Sequence, residues 1–299
     1  MTNTLSHTSR ENKSLVAKAF GRSARSYDEH ACVQLAAART LVSFIQENAK
    51  ARAESHAVKI DAEEIPGRLE SGGLLKSTQE WAVDLGAGTV PMARPLAESC
   101  PTHRWLALDV ALQMLAEARQ RGRLDERWQP LCADAAALPL RDGSISLIYS
   151  SFALQWSDSL AVTLAELCRV LRPGGSAHIA IPVADSLREF SQSWRQVDDR
   201  VHINTLASVA DWLAATTQSG LICEHHQVTT ITEHYTDVRA IGRMLKATGA
   251  HHVHRNAPVG LMTPSRYAML VAAYERLRQP QGLPLSWNIL FLSLEKPLK

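Results

Sequence analysis

Between residues 80 and about 184 the chain alternates short apolar runs with stretches of helical spacing, and this alternation limits the fold more than any other feature. WAVDL (81–85), RWLAL (104–108), WQPLCA (128–133), ISLIYS (145–150) and SAHIAI (176–181) have the length and apolar character of strands. Residues 111–121 and 159–171 fit helices between them. Strands separated by helices run parallel and are joined by right-handed crossovers. Arg172-Pro173-Gly174-Gly175 is predicted to stop the second helix and turn the chain into the fifth strand.

Three further zones flank this core. Residues 11–50 carry two helical patterns broken near 21–28, and form an N-terminal helical segment (1–50). Residues 51–79 are mixed and charged, with Pro66-Gly67 and Ser71-Gly72-Gly73, and read as a variable connection. The domain proper spans 80–299. It continues through helical patterns at about 186–218 and 237–280, expected to form a cap, and strand candidates at 223–235 and 285–294.

Composition removes several function classes. Apolar residues make up 45% and charged residues 21%, enough for a sizeable core and against disorder. The net charge is +2 with no basic run, which gives no reason to expect a nucleic-acid partner. No apolar run approaches the roughly 20 residues that cross a bilayer, so no membrane association is expected. The polar first residues lack a secretory pattern, and five scattered cysteines without a CxxC pair suit reduced thiols. The expected location is the cytoplasm.

The segment Val83-Asp84-Leu85-Gly86-Ala87-Gly88-Thr89 joins the first strand to a helix, with two glycines in the turn. Glycines at such a turn let a ligand approach the backbone, and in parallel sheets the crevice lies at the carboxyl ends of the strands. The dinucleotide pattern wants GxGxxG and the phosphate-binding loop wants Gly-Lys-Ser/Thr; neither is present. Asp84 would repel a pyrophosphate and attract an ammonium or sulfonium. Asp109 ends the second strand, where a carboxylate accepts bonds from ribose hydroxyls, and Asp134 ends the third, within reach of an adenine amino group. Three acids so placed suit S-adenosylmethionine; the alternative is three helix N-caps.

VDLGAGT, ALDVALQML, CADAAALPL, SSFALQW and ELCRVLRPGG resemble the successive motifs of class I S-adenosylmethionine-dependent methyltransferases. VAKAFGRSARSYDEHA, WRQVDDRVHIN, MLKATGAHHVH, MTPSRY and LPLSWNILFL resemble, more narrowly, the malonyl-[acyl-carrier protein] O-methyltransferases, the BioC family of biotin synthesis. The resemblance implies an α/β fold, a doubly wound Rossmann-like sheet of seven strands with N-terminal helices and a helical cap. It implies methyl transfer from S-adenosylmethionine to the free carboxylate of a malonyl thioester on acyl-carrier protein, or on coenzyme A. Carried over by residue, Asp84, Gly86, Ala87 and Gly88 would line the methionine end of the cofactor and Asp109 the ribose. Asp134 with Ala135 would meet the adenine, Ser151 would flank the transfer channel, and Tyr27 would close over the cofactor.

Two positions depart from the family pattern. Val90 stands where the third glycine is usual, and a β-branched residue resists positive φ, so the local backbone is expected to differ. Ser146 stands where the fourth strand usually carries aspartate. A carboxylate is already ionised at neutral pH, so alignment and desolvation suffice and no obligatory catalytic residue is expected. Arg243, Lys246, His254, Arg200 and His202 are the candidates for holding the acceptor carboxylate. Arg22, Arg25, Arg255 and Arg266 are candidates for docking an acidic carrier. His225-His226 and His251-His252-x-His254 look metal-like, but neighbours on a strand face opposite ways, and no metal is expected. Another small-molecule methyltransferase and a non-catalytic binding module remain the alternatives.

Overall fold

The computed structural model describes residues 14–61, 80–249 and 263–298, with side chains described outside 48–61. The strands are β1 (Glu80–Leu85), β2 (His103–Asp109), β3 (Trp128–Cys132), β4 (Ile145–Ser151), β5 (Leu171–Pro182), β6 (Ile222–Tyr235) and β7 (Leu283–Glu295). They form one sheet in the order β3-β2-β1-β4-β5-β7-β6. β7 runs antiparallel to both its neighbours, and the other pairings are parallel. The order turns back between β1 and β4, and a crevice opens there beyond the carboxyl ends of the strands.

Helices are α1 (residues 14–23), α2 (Tyr27–His30), α3 (Cys32–Asp61), α4 (Ala93–Ser99), α5 (Leu112–Gln120), α6 (Leu160–Val170), α7 (Arg188–Arg195), α8 (Val209–Ser219), α9 (Val238–Ala247) and α10 (Pro264–Glu275). Both faces of the sheet are covered, which is why its central strands read as near-continuous apolar runs instead of alternating. On β1, Ala82 joins the core under α3, α4 and α5, while Val83 and Leu85 join the core formed with α6 and α8. β7 divides in the same way, with Trp287, Ile289 and Phe291 on one face and Leu290, Leu292 and Leu294 on the other.

Local chemistry sets the helix starts. Ser159 caps α6, Ser208 and Asp211 form a capping box at α8, Asp237 caps α9, and Thr263 with Pro264 opens α10.

Three sequence readings are corrected. The connection placed from residue 51 begins later, because α3 runs on to Asp61. The Arg172–Gly175 turn is not a free loop: β5 starts at Leu171, directly after α6, and these residues form an irregularity in its pairing with β4. Gly174 N donates to the Lys296 carbonyl and Lys296 N to the Gly175 carbonyl, so the end of the chain holds the bulge in the sheet. Finally, α8 is not part of a cap. Trp212 buries it beside α6 against the sheet face.

Candidate active site

Beyond the carboxyl ends of β1, β2 and β4 lies an open chamber of about 1180 Å³, walled on its outer side by α1, α2 and the start of α3. The structure brings all the cofactor candidates into its wall: Tyr27, Asp84, Gly86, Ala87, Gly88, Asp109, Asp134, Ala135 and Ser151. Among the described residues it is lined by no lysine, arginine or histidine, and Asp84, Asp109 and Asp134 supply its only carboxylates. A ligand carrying phosphates would find no basic side chain in this wall, whereas a cationic one would meet three carboxyl groups.

The loop between β1 and α4 is built for close approach. Gly86 and Ala87 donate their N–H groups to the Leu108 carbonyl at 2.7 and 2.9 Å, which suspends the loop from the end of β2. Gly86 has φ of +73°, and a Cβ there would lie 2.0 Å from that of Ala153, so only glycine fits. The expectation that Val90 would force a different backbone is overturned. Val90 takes φ of +52° itself, fully buried, and the strain of a β-branched residue there is offset by packing around its side chain.

Asp109 uses both carboxylate oxygens on the backbone, accepting from Gly88 N at 2.8 Å and Ala111 N at 2.7 Å. Burial raises its pKa and these two bonds oppose the rise. Asp134 Oδ1 accepts from Ala136 N at 2.9 Å. Neither acid caps a helix, as the alternative reading would have it: α5 is preceded by Ala111 without a side-chain cap and no helix follows Asp134, so these bonds hold turns instead. Asp84 differs. The residue is 3% exposed, and burial first, then the Asp109 charge, push its pKa up to about 8, with no hydrogen bond from the described residues to offset them. Tyr27 is raised by burial and by the charges of Asp109 and Asp28, so its phenol stays neutral.

A latch that the sequence reading missed joins the outer wall to the glycine loop. Thr89 Oγ1 donates to Asp28 at 2.6 Å, and Arg123 spans from the Thr89 carbonyl, at 2.9 Å, to Asp28 at 2.6 Å. Arg121 adds a bond to Asp28 at 2.8 Å and one to the Arg25 carbonyl at 2.6 Å. The bonds to Asp28 each span more than 60 positions, and nothing in local spacing announces them.

A smaller chamber of about 550 Å³ adjoins the first, bordered by residues 182–206, the end of α9 and Trp287 of β7. Among the described residues its wall contains no histidine, carboxylate, lysine or arginine. None of the described candidates for a carboxylate-binding cation reaches either chamber. Arg243 and Lys246 are exposed on α9, and Arg200 is exposed beside Asp198. His202 stacks on Trp194 with centroids 3.6 Å apart and holds Asp198 at 2.8 Å. Arg266 is ion-paired with Asp198. His254 and Arg255 lie outside the described residues, as do His251 and His252. Among the described residues no cluster of metal-ligating side chains occurs, and His225 and His226 are exposed on β6.

Ser146 sits at the other end of the strands. Its Oγ donates to the Trp81 carbonyl at 3.1 Å and lies 3.0 Å from His103 Nε2. The aspartate expected there is thus absent from a position that does not line the chamber.

A family model described as a methyltransferase domain matches residues 83–179. A malonyl-[acyl-carrier protein] O-methyltransferase of Alcanivorax borkumensis is 44% identical over 96% of this chain and 88% of its own length. One from Serratia marcescens is 34% identical over 94% of each chain. The biotin biosynthesis bifunctional protein BioHC of Cellvibrio japonicus is 32% identical over 95% of this chain and 50% of its own. Among solved structures, a Bacillus halodurans C-125 protein superposes with a TM-score of 0.53 at 17% identity, covering 75% of this chain and 95% of that one, and supports the fold.

Proposed function

This chain belongs to the malonyl-[acyl-carrier protein] O-methyltransferase family, and we propose that it moves the methyl group of S-adenosylmethionine to the free carboxylate of a malonyl thioester on acyl-carrier protein. The malonyl methyl ester so formed starts pimeloyl synthesis for biotin. The observation that carries the reading is the pairing of two unlike chambers, one whose carboxylates are three aspartates and one with no carboxylate, histidine, lysine or arginine among its described residues. A carbon methyltransferase would want a base beside the acceptor; the phenol of Tyr27 is the one proton-transferring side chain described in the smaller chamber, and burial with the nearby Asp109 and Asp28 charges keeps it neutral.

The donor set of the larger chamber fits S-adenosylmethionine. Asp84 would face the ammonium, Asp109 the ribose hydroxyls, and Asp134 with Ala135 the adenine, while Gly86, Ala87 and Gly88 line the methionine end. Ser151 would flank the transfer path and Tyr27 would close the outer wall. When bound, the cofactor supplies a methyl group on a sulfonium.

The acceptor needs no help to become a nucleophile, since a free carboxylic acid of reference pKa about 4 is ionised at neutral pH. Attack brings opposite charges together and leaves neutral products. Water stabilises the separated charges, so a dry, uncharged enclosure lowers the barrier. The residues of the smaller chamber act by excluding water and aligning the acceptor, and an arginine salt bridge there would dull the nucleophile.

Arg243 and Lys246 take a different role in this reading. With Arg239 they lie at spacings of four and three on the exposed face of α9, which packs against α2 and ends at the smaller chamber. Arg22 and Arg25 are exposed just ahead of α2. This face suits an acidic carrier protein presenting its arm to the chamber mouth.

Purified protein, S-adenosylmethionine and malonyl-acyl-carrier protein should yield a carrier heavier by one methyl group in intact-mass spectrometry, with acetyl carrier unchanged. Cofactor binding without transfer would point to another acceptor. Absence of both would support the non-catalytic alternative. Reversing charge at Arg239, Arg243 and Lys246 together should raise KM for the malonyl carrier and leave malonyl-coenzyme A methylation unchanged.

A further inference from the structure

The two chambers share part of their lining: Phe20, Tyr27, Gln34, Phe152 and Trp156 border both. Phe20 meets Trp156 edge to face at 5.6 Å and Tyr27 at 6.0 Å, so the passage is framed by aromatic rings. One member is an amide. Gln34, in the first turn of α3, shares a helix face with Ala31, Leu35 and Ala38, which also line the larger chamber. The residue is 9% exposed and its side chain makes no hydrogen bond to any described residue. The amide is not sealed into the core: its polar atoms keep access to the chambers, where a ligand can complete their bonding.

We infer that the Gln34 carboxamide holds the acceptor carboxylate at the neck between the chambers and sets the selectivity for a malonyl group. The inference rests on the methyl-transfer reading above. The amide N–H donates to one carboxylate oxygen and leaves the other facing the larger chamber, with the thioester arm in the smaller one. A neutral donor orients the anion without neutralising it, so the charge needed for attack is retained. An acetyl thioester offers nothing at this point, and a longer dicarboxylate places its charge beyond the neck.

The test compares wild type, Gln34→Met, Gln34→Asn and Gln34→Glu for KM and kcat with malonyl carrier, cofactor affinity by calorimetry, and thermal midpoint. Gln34→Met, similar in shape but unable to donate, is expected to lower kcat/KM by about 10- to 100-fold, the range for one hydrogen bond to a charged group, with cofactor affinity within about twofold. Gln34→Asn, with the amide drawn back one methylene, should fall between. Gln34→Glu should be nearly inactive at pH 8 and recover toward pH 5.5, where the protonated acid donates again; wild type should show no such recovery. Wild-type kcat and KM in Gln34→Met would overturn the inference alone, as would a parallel loss of cofactor affinity, which would make Gln34 part of the cofactor wall. Inactive wild type that still binds cofactor would overturn the methyl-transfer reading and this inference with it.

Discussion

The same strands end in opposite electrostatic states. At their amino ends polar groups satisfy one another: Glu80 of β1 pairs with Arg172 at 2.6 Å and His103 of β2 at 3.2 Å, and His103 reaches Ser146 of β4. At the carboxyl ends of β1 and β2, Asp84 and Asp109 are both buried, and burial together with the Asp109 charge raises the cost of ionising Asp84. One end is finished by folding. The other is finished only by a ligand, and a departure from the family pattern matters according to which end it touches.

The strongest test of that contrast is Asp84→Asn. It should weaken S-adenosylmethionine binding by about 100-fold or more, read by calorimetry, because a buried charge partner is lost. The same change should stabilise the ligand-free protein at pH 8. Asp84 is raised from 3.8 to about 8, so the native state holds a proton that the unfolded chain has released. Stability is therefore full below the unfolded pKa and declines, by at most about 1.4 kcal/mol per pH unit, as pH rises toward the folded value. Thermal unfolding with and without the substitution should diverge at pH 8 and coincide near pH 4. Cofactor affinity has the opposite dependence, growing up to about tenfold per unit as pH rises toward 8, while kcat at saturating cofactor stays flat through neutrality. A bell-shaped kcat would require a proton-transferring residue and break the scheme.

A middle-sized effect is expected at the latch. Asp28→Ala frees Thr89, Arg121 and Arg123 from the outer wall and should weaken cofactor binding by about tenfold, mainly through faster release in stopped-flow measurements. The smallest change sharpens the comparison from the other side. Ser146→Ala should cost about 1 kcal/mol of stability and leave cofactor affinity within about twofold. A large change in affinity there would mean that the two ends of the sheet are coupled.

The strands, crossovers and carboxyl-end acids were readable because each leaves a local mark: a run of apolar residues buried on both sides, or an acid closing a strand. The Asp28 latch was not, since its partners come from α2, the glycine loop and the segment after α5. Val90 shows a different limit. Intrinsic backbone preference argued against positive φ, and complete burial of the side chain overrode it. Charge alone singles out Arg243 and Lys246 as carboxylate-binding cations, but the helix period of α9 turns both outward while Val238, Ile241, Met244 and Leu245 face in. Gln34 did leave a trace, a polar residue on the Ala31, Leu35 and Ala38 face, but that trace means a site only once the chambers are seen.

A neck of rings and one amide also gives turnover a direction. The acceptor arrives as an anion that the Gln34 amide can grip, and it leaves as an ester whose carbonyl is a far poorer acceptor. The passage therefore loses its hold on the acyl group at the moment the methyl arrives. No hinge or gate need open to expel the product, and an ester already made competes weakly with a fresh malonyl thioester for the same seat.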